Sequence, residues 1–208
     1  GEEGRREGGR VPKIQAPTVA EHRAAQRAAL LDAARTLLAE EAERAPSLAE
    51  VARRAGLARS SVYAYFKSRD DLLDALIVDT FPRWSAYVQA RMGRAKSPGD
   101  RVLAYVYANL RLVARGDHAL ARALAAFGRS DTLAESSGLL HRELQGPLRV
   151  ALTDHGASDP DRTAELVQSI VYTLSRMIEE GLSERAARTL ARELLTPYLR
   201  SAPPRPGR

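Results

Sequence analysis

Apolar residues recur at spacings of three and four along most of the chain, which is the spacing that places them on one face of a helix. The first such run gives a single face formed by Leu30, Ala34, Leu37 and Leu38. The next run repeats at i, i+3, i+4 and i+7, with Leu48, Val51, Ala52 and Ala55. Sustained alternation is absent, and neither Asn-Gly nor Asp-Gly marks a hairpin. The pattern therefore predicts an all-α protein.

Glycine and proline residues divide this pattern into helices and into two domains. We predict helices over residues 18–43, 48–55, 59–66, 68–81, 83–95, 99–115, 117–127, 139–154, 161–180 and 184–199. Residues 1–17 are rich in Gly, Arg and Glu and predict a flexible arm. Residues 18–81 and 82–200 predict a small and a larger domain, and the proline-rich residues 201–208 predict a disordered tail.

Composition excludes several classes of protein. The 208 residues are 44% hydrophobic, which is enough for a core, and the absence of cysteine excludes disulfides, thiolate metal sites and cysteine nucleophiles. The four histidines lack ligand spacing, so no metal and no cofactor is expected. No apolar run approaches the roughly 20 residues that span a bilayer, and no signal peptide pattern opens the chain, so we expect a cytoplasmic protein without a membrane partner.

Residues 48–66 combine a short helix, a Gly56-Leu57 turn and a second short helix, which is a helix-turn-helix arrangement. On the second short helix, a rotation of about 100° per residue places Val62 and Phe66 on the inward face and Ser60, Ala64 and Lys67 on the outward face. Residues 44–69 hold one acidic residue, Glu50, and six basic residues: Arg44, Arg53, Arg54, Arg59, Lys67 and Arg69. Together with the formal net charge of +6, this local excess favours DNA as the partner.

The stretch LAEVARRAGLARSSVYAYFKSRDDLL, residues 48–73, resembles the N-terminal domain of the TetR family of bacterial transcriptional repressors. The matching positions, in order, are Val51-Ala52, Ala55-Gly56-Leu57, Val62-Tyr63, Tyr65-Phe66 and Ser68-Arg69. The resemblance implies a homodimer on a double-stranded DNA operator, with a C-terminal helical bundle that dimerises and holds a ligand. Two departures are Ala58, which replaces the usual Ser/Thr cap, and Ala42, which replaces a frequent Gly and predicts a late end of the first helix.

The resemblance also implies roles for residues at and near the second short helix. Arg59 and Ala64 take base-reading positions and Tyr65 borders the base edges, whereas Arg69 pairs with a phosphate. The remaining positions of the implied DNA site are Ser47, Ser60, Ser61, Tyr63 and Lys67, with Ser61 or Tyr63 holding a phosphate and Ser47 offering its N–H and hydroxyl.

The sequence of the larger domain predicts a ligand cavity and a dimer surface. Trp84, Tyr105, Asn109 and Phe127 are the candidates for lining a mostly apolar cavity that takes a neutral or weakly charged lipophilic effector. Core packing of these aromatics and a structural role for the amide are the alternatives. Wide apolar arcs on residues 161–180 and 184–199 predict a dimer interface, with a deeply buried monomeric bundle as the alternative.

Two classes of function are compatible with these sequence features. The first is a repressor that a small lipophilic effector releases from a palindromic operator, and the second is a constitutive DNA-binding regulator without an effector. An enzyme is disfavoured, because the sequence contains no GxSxG, GxxxxGK[ST], HExxH or paired-carboxylate motif.

Overall fold

The computed structural model describes residues 18–41 and 43–201, so the predicted arm and most of the predicted tail lie outside the described residues. The helices are α1 (Val19–Glu40), α2 (Leu48–Arg54), α3 (Arg59–Val62), α4 (Arg69–Gly93), α5 (Pro98–Ala114), α6 (Asp117–Phe127), α7 (Ser130–His155), α8 (Pro160–Glu179) and α9 (Glu184–Arg200). The described residues contain no strand, and the all-α prediction is confirmed. None of these described helices is long and apolar enough to cross a membrane.

Helices α1 to α3 and the first half of α4 enclose one small core. Its fully buried members are Leu30, Ala34, Leu38, Val51, Ala52, Val62, Leu72, Leu73 and Leu76. Helix α1 ends at Glu40 and not near residue 43, so the predicted late end is wrong. The following loop is held by its own contacts: Ala45 and Pro46 are buried, and Arg44 pairs with Glu50 of α2.

Helix α4 runs without interruption through Pro82, so the predicted break at this residue is wrong. A proline inside a helix costs about 3 kcal/mol or more through the lost hydrogen bond and the ring clash. The apolar face of α4 offsets this cost, because Ile77, Phe81, Trp84 and Val88 are buried on both sides of the proline. Burying each such side chain contributes about 1.5–3 kcal/mol. The first and second domains of the sequence prediction therefore share one helix.

Helix α7 begins at Ser130 and continues to His155, through Gly138 and Pro147. The predicted start at residue 139 is wrong for the same reason as the predicted break in α4. Leu133, Leu140 and Leu144 pack against the core, and the fully buried Leu148 follows the proline directly. Tertiary packing thus overrides the local helix breakers.

The larger bundle is arranged around α5, which packs against α4, α7, α8 and α9. The start of α5 and the end of α9 approach closely at Gly99, where an added Cβ would lie 2.9 Å from the Leu199 carbonyl oxygen. Helix α6 packs against α5 and also against α1 and α4. It therefore connects the bundle to the small N-terminal core.

Candidate DNA interface and effector cavity

The second helix of the helix-turn-helix is shorter than predicted. Helix α3 has four residues, and two tighter turns continue it, in which the Ala64 N–H donates to Ser61 (3.2 Å) and the Tyr65 N–H to Val62 (3.0 Å). Such i to i−3 bonds are common where a short helix ends. We call residues 59–69 the recognition segment.

The inward and outward faces of this segment agree with the predicted ones. Val62 and Phe66 are 0% and 3% exposed and pack into the N-terminal core. The outward residues that the structure leaves exposed are Arg59, Ser60, Tyr63, Ala64, Lys67 and Arg69, and Ser61 is half-buried. The segment therefore presents small and basic side chains outward, and their contacts with DNA remain predictions.

Tyr65 faces α1 more than it faces outward. It is half-buried, and its hydroxyl donates to Gln26 Oε1 at 2.6 Å. The Arg23 guanidinium lies 5.1 Å from the centre of the Tyr65 ring, and Arg27 lies 5.6 Å from that of Phe66. Gln26, Arg23 and Arg27 thus hold the recognition segment from α1. Sequence reasoning missed them because no local pattern signals a contact about forty residues away.

Ser47 is committed to the cap of α2. Its Oγ accepts from the Glu50 N–H (3.2 Å), and its own N–H donates to Glu50 Oε2 (2.7 Å), which completes a capping box. The Ser47 N–H therefore has a partner within the protein while the hydroxyl can still donate, and contact of Ser47 with a DNA phosphate stays a prediction. Hydrogen bonds from Arg44, and then from Ser47, lower the pKa of Glu50 to about 2.

Ion pairing separates the six basic residues into two groups. Arg44 pairs with Glu41 and Glu50, and Arg54 pairs with Glu40 through two bonds of 2.8 and 2.7 Å. The other four make no ion pair with any residue in the described segments: Arg53, Arg59, Lys67 and Arg69. Three of these four belong to the recognition segment, so its positive charge is available to a polyanion.

A cavity of about 290 Å³ lies between α4, α5, α6, α7 and α8. Its apolar lining residues are Phe81, Trp84, Leu112, Val113, Ala121, Leu140, Leu144 and Val171. Its polar lining residues are Asn109, Asp117, His118, Ser137, Gln168, Tyr172 and Ser175. Helices α5, α6, α7 and α8 each contribute residues of both kinds, and the polar side chains from α6, α7 and α8 were not among the four predicted candidates.

Two carboxylates at or near the cavity, those of Asp117 and Glu179, are neutralised within the protein. The Trp84 Nε1–H donates to Asp117 Oδ1 at 2.9 Å, and Arg115 pairs with Oδ2 of the same carboxylate at 2.9 Å. Glu179, behind His118, is paired with that histidine and with Arg122. The cavity therefore offers hydrogen-bonding groups without an uncompensated charge.

Two of the four predicted cavity residues line the cavity and two do not. Trp84 and Asn109 are in the wall, and Asn109 Nδ2 donates to the Tyr105 carbonyl (2.8 Å), which leaves Oδ1 able to accept. Tyr105 is 1% exposed and lies behind Gln168, to which its hydroxyl donates. Burial raises its pKa. Phe127 packs on a different face of α6 from the cavity residues, so both placements were wrong.

Comparisons with known proteins agree with this geometry. Residues 30–76 match the family model described as bacterial regulatory proteins, tetR family. The chain is 27% identical over 183 residues to the HTH-type transcriptional regulator BetI of Rhizobium meliloti (strain 1021), which covers 85% of this chain and 90% of that protein. It is also 27% identical over 175 residues to an uncharacterized HTH-type transcriptional regulator of Mycobacterium tuberculosis, covering 83% and 85% of the two chains.

Solved structures show the same fold over most of the chain. A putative TetR-family transcriptional regulator from Rhodococcus sp. superposes with a TM-score of 0.67 at 23% identity, over 84% of this chain and 99% of that one. The transcriptional regulator FadR from Bacillus subtilis, solved in complex with stearoyl-CoA, gives a TM-score of 0.62 at 19% identity, over 81% and 96% of the two chains.

The fold and the recognition segment define a transcriptional regulator with an N-terminal helix-turn-helix DNA-binding domain. The N-terminal domain, over residues 30–76, is that of the tetR family of bacterial regulatory proteins.

Proposed function

We propose that this protein is a dimeric repressor that binds a palindromic operator through its recognition segment and leaves it when a small lipophilic effector occupies the cavity. The observation that carries the proposal is the continuity of α4. This helix supplies Leu72 and Leu73 to the N-terminal core and Phe81 and Trp84 to the cavity wall. Movement at the cavity is thereby coupled to the domain that presents the recognition segment.

Helix α6 provides a second connection between the two regions. It contributes Asp117, His118 and Ala121 to the cavity wall, and it packs against α1. Helix α1 in turn holds the recognition segment through Gln26 and Arg23. An effector can shift the protein from a DNA-binding state to a released state only if it binds the released state more tightly. In this proposal the contacts between the effector and α6 provide that difference in affinity.

The proposed dimer surface consists of exposed apolar residues on the last two helices. They are Leu166 and Tyr172 on α8 and Leu190, Leu194 and Tyr198 on α9, between 39% and 68% exposed. Exposed apolar residues on two neighbouring helices favour a partner helix pair, and a second copy supplies one by symmetry. A dimer presents two recognition segments to half-sites about 34–36 Å apart, or a multiple of that distance.

The cavity favours an uncharged effector that combines apolar parts with hydrogen-bonding groups. Phe81, Leu140 and Val171 offer apolar contacts, whereas Asn109 Oδ1 and the Ser175 hydroxyl offer hydrogen bonds. A fatty-acyl chain is one candidate for the apolar part, since the FadR neighbour was solved with stearoyl-CoA.

Two substitutions distinguish residues that read DNA bases from residues that bind phosphate. Arg59→Ala should weaken operator binding by roughly 1–3 kcal/mol and relax the preference at one base pair per half-site, because Arg59 is placed to form a guanine fork. Arg69→Ala should weaken operator and scrambled duplex alike and reduce the salt slope by roughly one per protomer. Titrations at several salt concentrations measure both effects. Equal losses on both duplexes for Arg59→Ala would make Arg59 a phosphate contact.

Filling the cavity distinguishes an effector-responsive repressor from a constitutive regulator. Ser175, at the cavity wall, is 5% exposed, so Ser175→Leu should abolish effector-induced release while leaving operator binding intact. Ser158→Leu, in the exposed turn before α8, is the matched control. The readouts are operator binding and the emission of Trp84, the chain's one tryptophan. If no lipophilic compound changes the Trp84 emission or the melting temperature, the constitutive alternative is favoured.

A further inference from the structure

A second basic surface lies in the larger bundle, in a groove between α4, α5 and α9. The groove has two adjoining parts of about 480 and 470 Å³ that share Tyr107, Arg111, Glu184 and Arg188. Its basic residues are Arg91, Arg94, Arg111, Arg185, Arg188 and Arg192. Glu184 is the one acidic residue among the described residues that line it, so the groove carries five net positive charges (six minus one). The whole chain has a formal net charge of +6.

The acidic residue in this groove is already neutralised. Glu184 Oε2 accepts from Arg111 Nη1 at 2.8 Å, and Oε1 lies 3.8 Å from Arg188. In contrast, four arginines of the groove make no ion pair within residues 18–41 and 43–201: Arg91, Arg94, Arg185 and Arg192. Like charges gathered in one concave site repel each other, and a bound anion relieves that repulsion.

Tyrosine rings hold several guanidinium groups in place. Arg188 lies 4.4 Å from the centre of the Tyr107 ring, and Arg91 and Arg115 each lie 5.1 Å from that of Tyr87. Stacking of this kind uses the face of the guanidinium and not its N–H edges. The edge of Arg115 pairs with Asp117, whereas the groove residues Arg91 and Arg188 can donate from their edges to the oxygen pairs of a phosphate. The stacking therefore reduces the side-chain entropy that binding has to remove at Arg91 and Arg188.

The groove is separate from the effector cavity. Asn109, Leu112 and Val113 of α5 face the cavity, whereas Tyr107 and Arg111 face the groove from the opposite side of the same helix. The groove also lies away from the proposed dimer surface. On α9, Arg185, Arg188 and Arg192 follow the side next to α5, and the exposed Leu190, Leu194 and Tyr198 follow the other flank of the buried face.

The groove is also distant from the recognition segment. Arg91 is 22 residues along α4 from Arg69, which at a rise of about 1.5 Å per residue is about 33 Å. A duplex held by the recognition segment therefore does not fill the groove. The volume of each part of the groove, about 480 and 470 Å³, is within the range of about 300–1,000 Å³ that is typical of small-molecule sites.

We propose that this groove binds a polyphosphate group, a chain of two or more phosphates that is either free or carried by a nucleotide. Several negative charges along a short chain match the rows of arginine on α4 and α9, and the arginine edges supply bidentate contacts. The proposed site is independent of the effector cavity and of the operator site.

The test uses calorimetric titration of the full chain with inorganic tripolyphosphate and, separately, with ATP without magnesium. Arg94→Gln combined with Arg192→Gln removes one charge from each part of the groove, and neither side chain takes part in a tyrosine stack or an ion pair of the described residues. We expect binding of both probes to weaken by roughly tenfold or more. The matched control is Arg142→Gln with Arg200→Gln, two exposed arginines outside the groove that make no ion pair within the described residues and remove the same charge, and it should change affinity less than about twofold.

Equal affinities for the two probes support recognition of the phosphate chain alone, and tighter binding of ATP supports a nucleotide as its carrier. Equal weakening by the groove and control variants would overturn the proposal, because it would show a diffuse charge effect. Displacement of tripolyphosphate by a scrambled duplex, with higher affinity for the duplex, would assign the groove to nucleic acid instead. Operator binding of the groove variant should equal that of the unmodified protein, so this test does not depend on the repressor proposal.

Discussion

The missing cap of α3 leads to a quantitative prediction. Ala58 occupies the N-cap position with φ −65° and ψ 145°, and its side chain makes no capping hydrogen bond. Ser47 has nearly the same backbone conformation, φ −75° and ψ 157°, and its hydroxyl caps α2. A serine at position 58 can accept from the Ser60 N–H, which is the other donor within reach of an N-cap side chain, because the Ser61 N–H already donates to the Ala58 carbonyl at 2.9 Å. Ala58 is exposed, so the added hydroxyl meets no packed neighbour.

Ala58→Ser should stabilise the fold by roughly 1 kcal/mol, the usual difference between serine and alanine at an N-cap. For a chain of this length, 1 kcal/mol corresponds to a rise in melting temperature of about 2–4 °C. Urea unfolding followed by circular dichroism measures the change in the free energy of unfolding. Operator affinity should rise or stay equal, because the cap lies at the start of the recognition segment.

Two variants control this prediction. Ala64→Ser adds the same hydroxyl to an exposed turn where it has no helix terminus to cap, and it should leave the free energy of unfolding unchanged within about 0.5 kcal/mol. Ser47→Ala removes an existing cap and should destabilise by roughly 1 kcal/mol. If Ala58→Ser behaves like Ala64→Ser while Ser47→Ala destabilises, the reasoning about the α3 terminus is refuted.

Three further predictions concern single side chains. Tyr65→Phe removes the hydrogen bond to Gln26 and should lower operator affinity through a displaced recognition segment, with the free energy of unfolding falling by about 1 kcal/mol in urea titrations. Tyr105→Phe leaves Gln168 without its buried donor and should destabilise by about 1–3 kcal/mol, again measured in urea. Glu50, with its pKa lowered to about 2, contributes stability above its ordinary pKa of about 4.5. That contribution is lost as pH falls through about 2, so melting curves of Glu50→Gln should differ from those of the unmodified protein at neutral pH and converge with them in acid.

The N-terminal core could be predicted from sequence because its signals are local. Capping residues at Ser47 and Ser68, the turn at Gly56 and the inward pair Val62 and Phe66 each act within a few residues of their partners. Gly56 has φ +72°, a conformation that favours glycine. The ends and breaks of the long helices were predicted less well, since Pro82 and Pro147 lie in helices that distant packing stabilises.

The cavity depends on distant contacts that periodicity does not contain. On α5 Tyr105 is buried and Asn109 is half-buried, and the helical spacing cannot say which of them reaches open space. Gln168 lies 63 residues further along the chain, and its side-chain oxygen accepts the hydrogen bond of the Tyr105 hydroxyl. Tyr105 therefore lies behind Gln168, whereas Asn109 reaches the cavity. At this point the cavity is therefore lined by Gln168, and the proposed effector would meet its amide. Substitutions of Tyr105 should act through the position of that amide, whereas substitutions of Asn109 should act on the bound molecule directly.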